Sequence, residues 1–322
     1  MTNPRLISRR RLLLAGASLA ALPVRAAEAR VLRIAYLKGT NDLTLAKAHG
    51  SLEAALAPQG MRVQWAGPFP AAAPAVEAMA AGAVDLTVGS STSFIASRAA
   101  GVKLVLFGYQ RMSPGAEAIL VATDSPLHTV RDLVGRSVAV NRGGSGEYLL
   151  VRALTRVGVP LDAVKRVFLS PPDASAAFAR GAVDGWATWD PFLSIALSQG
   201  NARVLADGGE SGSENAIAYF IGEDFLSAHR PVVQAILAVL EQENAWARAH
   251  PNDAGAIWAQ ELGLPQALGP RLGANNTPLT GPVGPNERQQ IERIADWYVA
   301  NKIVPSRPEI ARYLVDLKVS IR

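Results

Sequence analysis

The chain has 322 residues, 49% of them hydrophobic, with 32 basic and 27 acidic residues and no cysteine. Lack of cysteine excludes disulfides, thiolate metal sites, a cysteine nucleophile and a lipoprotein anchor. The basic excess lies in Arg5, Arg9, Arg10, Arg11 and Arg25, so cleavage after Ala26 would leave 32 − 5 = 27 basic against 27 acidic residues, a balance that gives no support to nucleic-acid or membrane binding by the mature protein.

Residues 1–26 read as an export signal. A basic start precedes an apolar run of eleven residues, 12–22, too short to span a bilayer as a helix. Val24-Arg25-Ala26 and Ala27-Glu28-Ala29 offer two cleavage sites. Ser8-Arg9-Arg10-Arg11-Leu12-Leu13 resembles the twin-arginine box, and an ordinary secretory signal is the alternative. No later stretch is long and apolar enough to be transmembrane, so a soluble periplasmic protein without a lipid anchor is expected. The remaining length suits two domains or one large one.

From there strands and helices alternate. The apolar patterns predict strands over 31–37, 61–65, 84–88 and 102–107, with helices over 43–56, 71–81 and 91–100 between them. Such alternation implies parallel βαβ units with helices on both faces of a sheet. A second series follows. Strands are predicted at 117–122, 137–140, 167–169 and 185–188, and helices at 145–157, 173–180 and 191–199. A strand at 216–221 is expected to return to the first lobe. The remainder is mostly helical, with helices at 232–249, 254–262 and 287–301. The stretch 79–86 parallels 178–185: both read helix, Gly, Ala, Val, Asp, strand. A recurrent connection with glycine at the helix C-cap explains the likeness, as do two related lobes. In either case Asp85 and Asp184 are expected to cap or orient the turn.

Two polar turns at helix starts stand out. Gly89-Ser90-Ser91-Thr92-Ser93 opens a helix in the first series, and Gly143-Gly144-Ser145-Gly146-Glu147 does so in the second. A helix start presents unpaired N–H groups and the positive end of its dipole, glycine admits a ligand to the backbone, and hydroxyls add donors. Ordinary N-capping would select the same residue types. Two such turns in equivalent places favour a shared anion site. Neither is a P-loop, a dinucleotide turn or a nucleophile elbow.

Asp184-Gly185-Trp186-Ala187-Thr188-Trp189-Asp190-Pro191-Phe192 ends a strand and opens a helix, with Asp190 as N-cap and Pro191 in the first turn. Trp186 is expected in the core. Trp189 lies at the carboxyl edge of the strand, where α/β sheets bind ligands, and suits an apolar substituent. Lys38-Gly39-Thr40-Asn41-Asp42 follows the first strand at the same edge, and Lys38 either balances a ligand charge or is solvated. Gln110-Arg111 follows the fourth strand. His49, His128, His229 and His250 are scattered without metal-ligand spacing, and no serine has a hydrolase motif. Binding without chemistry, without metal or cofactor, is the expectation.

At these residues the chain resembles the aliphatic-sulfonate-binding components of ABC importers, which are similar to taurine- and nitrate-binding proteins. The motifs carrying the resemblance include Leu56-Ala57-Pro58-Gln59-Gly60, Asp124-Ser125-Pro126, Asp132-Leu133-Val134-Gly135 and Trp186-Ala187-Thr188-Trp189-Asp190-Pro191-Phe192. It implies an α/β fold of the type II periplasmic-binding kind, two lobes joined by two crossing segments near Glu117 and Ala216. The lobes would be 27–117 with 217–322, and 118–216. It also implies that turns 90–93 and 144–147 and Trp189 face the cleft. A sulfonate or similar oxyanion would be held by both helix starts and by Ser91, Thr92 and Ser145, with closure presented to a permease and ATPase by a monomer. Family members often carry Gly-Asp-Thr-Pro where this chain has Gly89-Ser90-Ser91-Thr92, so Ser90 removes a charge beside the anion. Glu147 should point away or pair with a base such as Arg111. The rivals are a pyrimidine or thiamine-precursor binder, with Tyr36 and Tyr148 as further stacking partners, and an exported hydrolase.

Overall fold

The computed structural model describes residues 30–318, so the expected export signal and its two expected cleavage sites lie outside the described residues. The strands are β1 (Arg30–Leu37), β2 (Met61–Phe69), β3 (Leu86–Ser90), β4 (Leu104–Arg111), β5 (Glu117–Ala122), β6 (Ser137–Val140), β7 (Lys165–Phe168), β8 (Gly185–Trp189), β9 (Ala202–Asp207), β10 (Ala216–Gly222) and β11 (Thr280–Pro282). The helices are α1 (Asp42–His49), α2 (Ser51–Leu56), α3 (Ala72–Ala80), α4 (Ser91–Ala99), α5 (Ser145–Arg156), α6 (Pro171–Ala179), α7 (Phe192–Ser198), α8 (Gly208–Ser211), α9 (Glu223–Ala249), α10 (Pro251–Glu261), α11 (Gly269–Asn275) and α12 (Pro285–Ala300).

Two mixed sheets result. One has the order β11-β4-β10-β3-β1-β2 and the other β7-β6-β8-β5-β9. The expected parallel units are present: β1 pairs in parallel with β2 and β3, and β6 with β7 and β8. In the first sheet β10 and the short edge strand β11 run the other way, and in the second β5 does. β10 lies antiparallel between β3 and β4, and β5 lies antiparallel between β8 and β9. The chain passes between sheets after β4 and again before β10. These passages touch, with the Met112 amide donating to the Asn215 carbonyl at 3.3 Å.

The strands are apolar because helices cover both faces; Leu104 to Gln110 of β4 are all buried. The single helix expected over 43–56 is broken, because Gly50 takes the left-handed conformation at φ 67° and ends α1 with its N–H on the carbonyls of Ala46 and Lys47. The helix expected over 232–249 is present, preceded by a short helical stretch from Glu223 from which a kink at His229 divides it. Pro231 lacks an N–H and crowds the preceding turn, and His229 leaves helical geometry there.

Candidate functional site

The carboxyl ends of β1, β2, β3, β6, β7 and β8 open into one cavity of about 270 Å³, walled by both sheets. Parallel strands feeding helices put helix starts at that edge. The N-cap residues of five helices line it: Asn41 of α1, Ala71 of α3, Ser90 of α4, Gly144 of α5 and Ser170 of α6. Each first turn contributes N–H groups without intrahelical partners and a positive dipole end. Their convergence makes the cavity attractive to an anion.

The five starts are not equivalent. Asn41 Oδ1 accepts the Thr44 amide at 3.2 Å, and Ser170 Oγ accepts the Asp173 amide at 3.4 Å. In α4, Ser90 Oγ accepts the Ser93 amide at 3.1 Å while Ser93 Oγ accepts the Ser90 amide at 2.8 Å, a reciprocal capping box. The N-cap residues of α3 and α5, Ala71 and Gly144, offer no side-chain cap, although Asn141 Oδ1 takes the second amide of α5, that of Gly146, at 2.8 Å. One of these two helices belongs to each half of the cleft.

This geometry redistributes the expected residues. Lys38, Gly39, Ser90, Gly144, Ser145, Trp189 and Asp190 line the cavity. Ser91 and Thr92 do not: both are fully buried, and their hydroxyls donate to Asn215 Oδ1 at 3.2 and 3.4 Å. They tie α4 to the second crossing instead. Gln110 is also fully buried and spends its Nε2 on the Pro278 carbonyl at 2.8 Å, turned toward the β11 side. Gly146 lies behind the wall, its amide on Asn141 Oδ1 at 2.8 Å, where an added Cβ would meet the Ala187 carbonyl at 2.4 Å.

Glu147 is not in the lining either. Its Oε2 accepts the Gly143 amide at 2.7 Å, and its Oε1 lies 2.7 Å from Arg166 Nη1. The partner is therefore Arg166, while Arg111 is an exposed strand residue. Thus neutralised, Glu147 fastens the turn ahead of α5 without opposing a bound anion.

Trp186 is 2% exposed and packs with Phe178 and Phe192, whereas Trp189 lines the cavity with its ring edge-on to Phe192. Leu37, Val88, Met112, Leu169 and Ile217 extend the apolar wall. Tyr36 stands edge-on to Trp65, and Tyr148 is buried against Trp297 and Tyr298. Among the described residues Trp189 is the sole aromatic of the lining, which leaves no opposing ring to sandwich a flat heterocycle. Asp190 is spent: Oδ1 accepts the Ser194 amide and hydroxyl at 3.0 and 2.6 Å, and Oδ2 accepts Asn275 and Asn276 at 3.1 Å each. Burial pushes its pKa up against these bonds. No cluster of His, Asp or Glu among the described residues could hold a metal ion.

The sequence reading missed Arg142 and Asn141, which follow β6 as Lys38 follows β1 and could have been found by that equivalence. It also missed residues 70–74, Pro-Ala-Ala-Ala-Pro, whose contribution is backbone alone and leaves no polar mark in the sequence.

The family profile described as NMT1/THI5 like matches residues 57–254, more than half of the chain. The chain belongs to the NMT1/THI5-like family. Within it, the chain is 35% identical over 280 residues to an aliphatic sulfonates-binding protein of Escherichia coli (strain K12), covering 87% of this chain and 86% of that one. It also resembles the taurine-binding periplasmic protein of the same organism, at 29% identity over 69% of this chain and 70% of that one. Its fold matches the alkanesulfonate-binding protein SsuA from Xanthomonas axonopodis pv. citri bound to MOPS, with a TM-score of 0.84 and 33% identity over 90% of this chain and 99% of that one. These likenesses agree with the paired sheets and the cavity between them.

Proposed function

We propose that the mature protein is the periplasmic solute-binding component of an ABC importer and that it binds an aliphatic sulfonate, or a closely related small organic oxyanion, without converting it. The observation that carries this reading is the pair of helix starts, α3 and α5, whose N-cap residues bring no capping side chain, one from each half, meeting across a cavity with an otherwise largely apolar wall. The anionic headgroup takes amide hydrogens from both starts, and the Ser145 hydroxyl adds a donor. The organic tail lies along Trp189. Bridging the two halves shifts the population toward a closed form, which the permease and its ATPase partner recognise. The lobes are built on residues 30–111 with 216–318, and on 117–207, so the expected changes of lobe at 117 and 216 each fall one residue late. Sulfonate- and alkanesulfonate-binding relatives support the ligand class, and the signal-like pattern of residues 1–26 supports the compartment. No helix among the described residues is long and apolar enough to cross a membrane.

Isothermal calorimetry against alkanesulfonates, taurine, sulfate esters and nitrate tests the reading. Saturable heat is expected from at least one alkanesulfonate, with no product after long incubation. Silence across the panel rejects the ligand class, and turnover of a sulfonate or sulfate ester moves the protein to the enzymes.

A further inference from the structure

The cavity wall carries two cations and no counter-ion for them. Lys38 follows β1, and Arg142 follows β6, the strand of like position in the other sheet. Among the described residues neither makes a salt bridge within 4.0 Å, although ten other such pairs are present. The Arg142 guanidinium lies over the Phe168 ring at 3.7 Å, which steadies it and leaves its donor edge open. The one acid of the lining, Asp190, is 3% exposed and already accepts four hydrogen bonds. An ammonium group on a ligand would find no acceptor carboxylate, and a single sulfonate would leave one cation unanswered.

We propose that Lys38 and Arg142 make the cleft selective for sulfonates bearing a second anionic group at the far end of a short carbon chain. This rests on the sulfonate reading above. The sulfonate sits at the start of α5 beside Arg142, because the Ser145 amide and hydroxyl there have no partner among the described residues, whereas Asn41 and Ser90 have already capped α1 and α4. The second group reaches Lys38 on the opposite wall. Space allows it: about 270 Å³ corresponds to roughly nine water volumes of ~30 Å³, more than a sulfonate head alone requires. Both cations are solvent-exposed, so the second anion keeps part of its hydration while gaining the attraction.

Three ligands of matched length separate the possibilities: propanesulfonate, sulfopropanoate and taurine, whose chains end in methyl, carboxylate and ammonium. Calorimetry at low salt is expected to show sulfopropanoate binding about tenfold more tightly than propanesulfonate, and taurine about tenfold more weakly, both gaps narrowing as salt rises. Lys38→Gln is expected to remove most of the sulfopropanoate advantage while sparing propanesulfonate. Arg142→Gln is expected to weaken both. Equal or weaker binding of sulfopropanoate, or an unchanged preference in Lys38→Gln, overturns this inference and leaves the sulfonate reading standing on propanesulfonate. No heat from any of the three with a correctly folded protein overturns both.

Discussion

Asp85 and Asp184 occupy matching places in the two sheets. Asp85 Oδ2 accepts the Arg33 amide of β1 at 2.8 Å, and Asp184 Oδ2 accepts the Ser137 amide of β6 at 2.8 Å. Their own amides return the bond, to the Arg33 and Ser137 carbonyls at 2.8 and 2.9 Å. The likeness between 79–86 and 178–185 is thus a repeated latch that sets β1 and β6, the matching strands of the two sheets, against the helix–strand turn.

The latches differ in burial, and stability should follow. Asp85 is 13% exposed and also receives the Arg33 guanidinium, while Asp184 is 38% exposed with Arg136 at 3.8 Å. Asp85→Asn is expected to lower unfolding free energy by about 1–3 kcal/mol, and Asp184→Asn by less. Partial burial works to raise the Asp184 pKa, but the Ser137 bonds and Arg136 together leave it below the ordinary value. Its stabilisation is therefore present at neutral pH and lost as pH falls through that lowered value. Urea denaturation compares the two, and equal losses would contradict this ranking.

Ser145→Ala should weaken sulfonate binding by about ten- to 150-fold, the usual worth of one hydrogen bond to a charged group. The melting temperature should hardly move, because the Ser145 hydroxyl has no intramolecular partner among the described residues. A variant that binds normally would remove Ser145 from the site.

Trp189→Ala should cost more affinity for hexanesulfonate than for methanesulfonate, because the ring offers wall only to the tail. The expected difference is on the order of 1–2 kcal/mol, set by the apolar area the longer chain buries. Identical losses for both ligands would place the tail elsewhere.

Glu117 gives the pH dependence an unusual sign. It is 2% exposed, sits between the two crossings and takes a 3.4 Å bond from Asn215 Nδ2. Burial raises its pKa from 4.5 to about 7, against bonds from Ser213 and Asn215 and with help from the Asp207 charge. Below the unfolded value both states are protonated. As pH climbs toward 7 only the folded state keeps the proton, so folding loses stability and stays lower above that value. Glu117→Gln should therefore gain on the parent as pH rises from 5 to 8, by at most about 3 kcal/mol at ~1.4 kcal/mol per pH unit. A constant gap in urea midpoints would mean that Glu117 is ionised throughout.

What could be read from the sequence was what burial writes into it. β5 and β6 have the predicted bounds, because their apolar runs end at turn residues. β9 escaped prediction since Arg203 breaks its short apolar run, and β11 because three residues, whose one strand partner is β4, carry no periodicity. At the site the rule of the carboxyl edge located Lys38 and Trp189, and the polar helix start located Ser145. It could not tell that Ser91 and Thr92 turn inward to Asn215, since a hydroxyl looks the same in sequence whether it meets a ligand or a neighbouring loop.

The antiparallel place of β10 bears on synthesis as well as architecture. β3 and β4 have no direct pairing and are joined through Ala216–Gly222. As the chain leaves the ribosome, the five strands of the later lobe are all available by Asp207, while the earlier lobe still lacks its middle strand. The usual vectorial order, amino-terminal unit first, is reversed. Nascent chains stalled just after Gly212 has emerged should resist protease in β5–β9 and be cut in β1–β4.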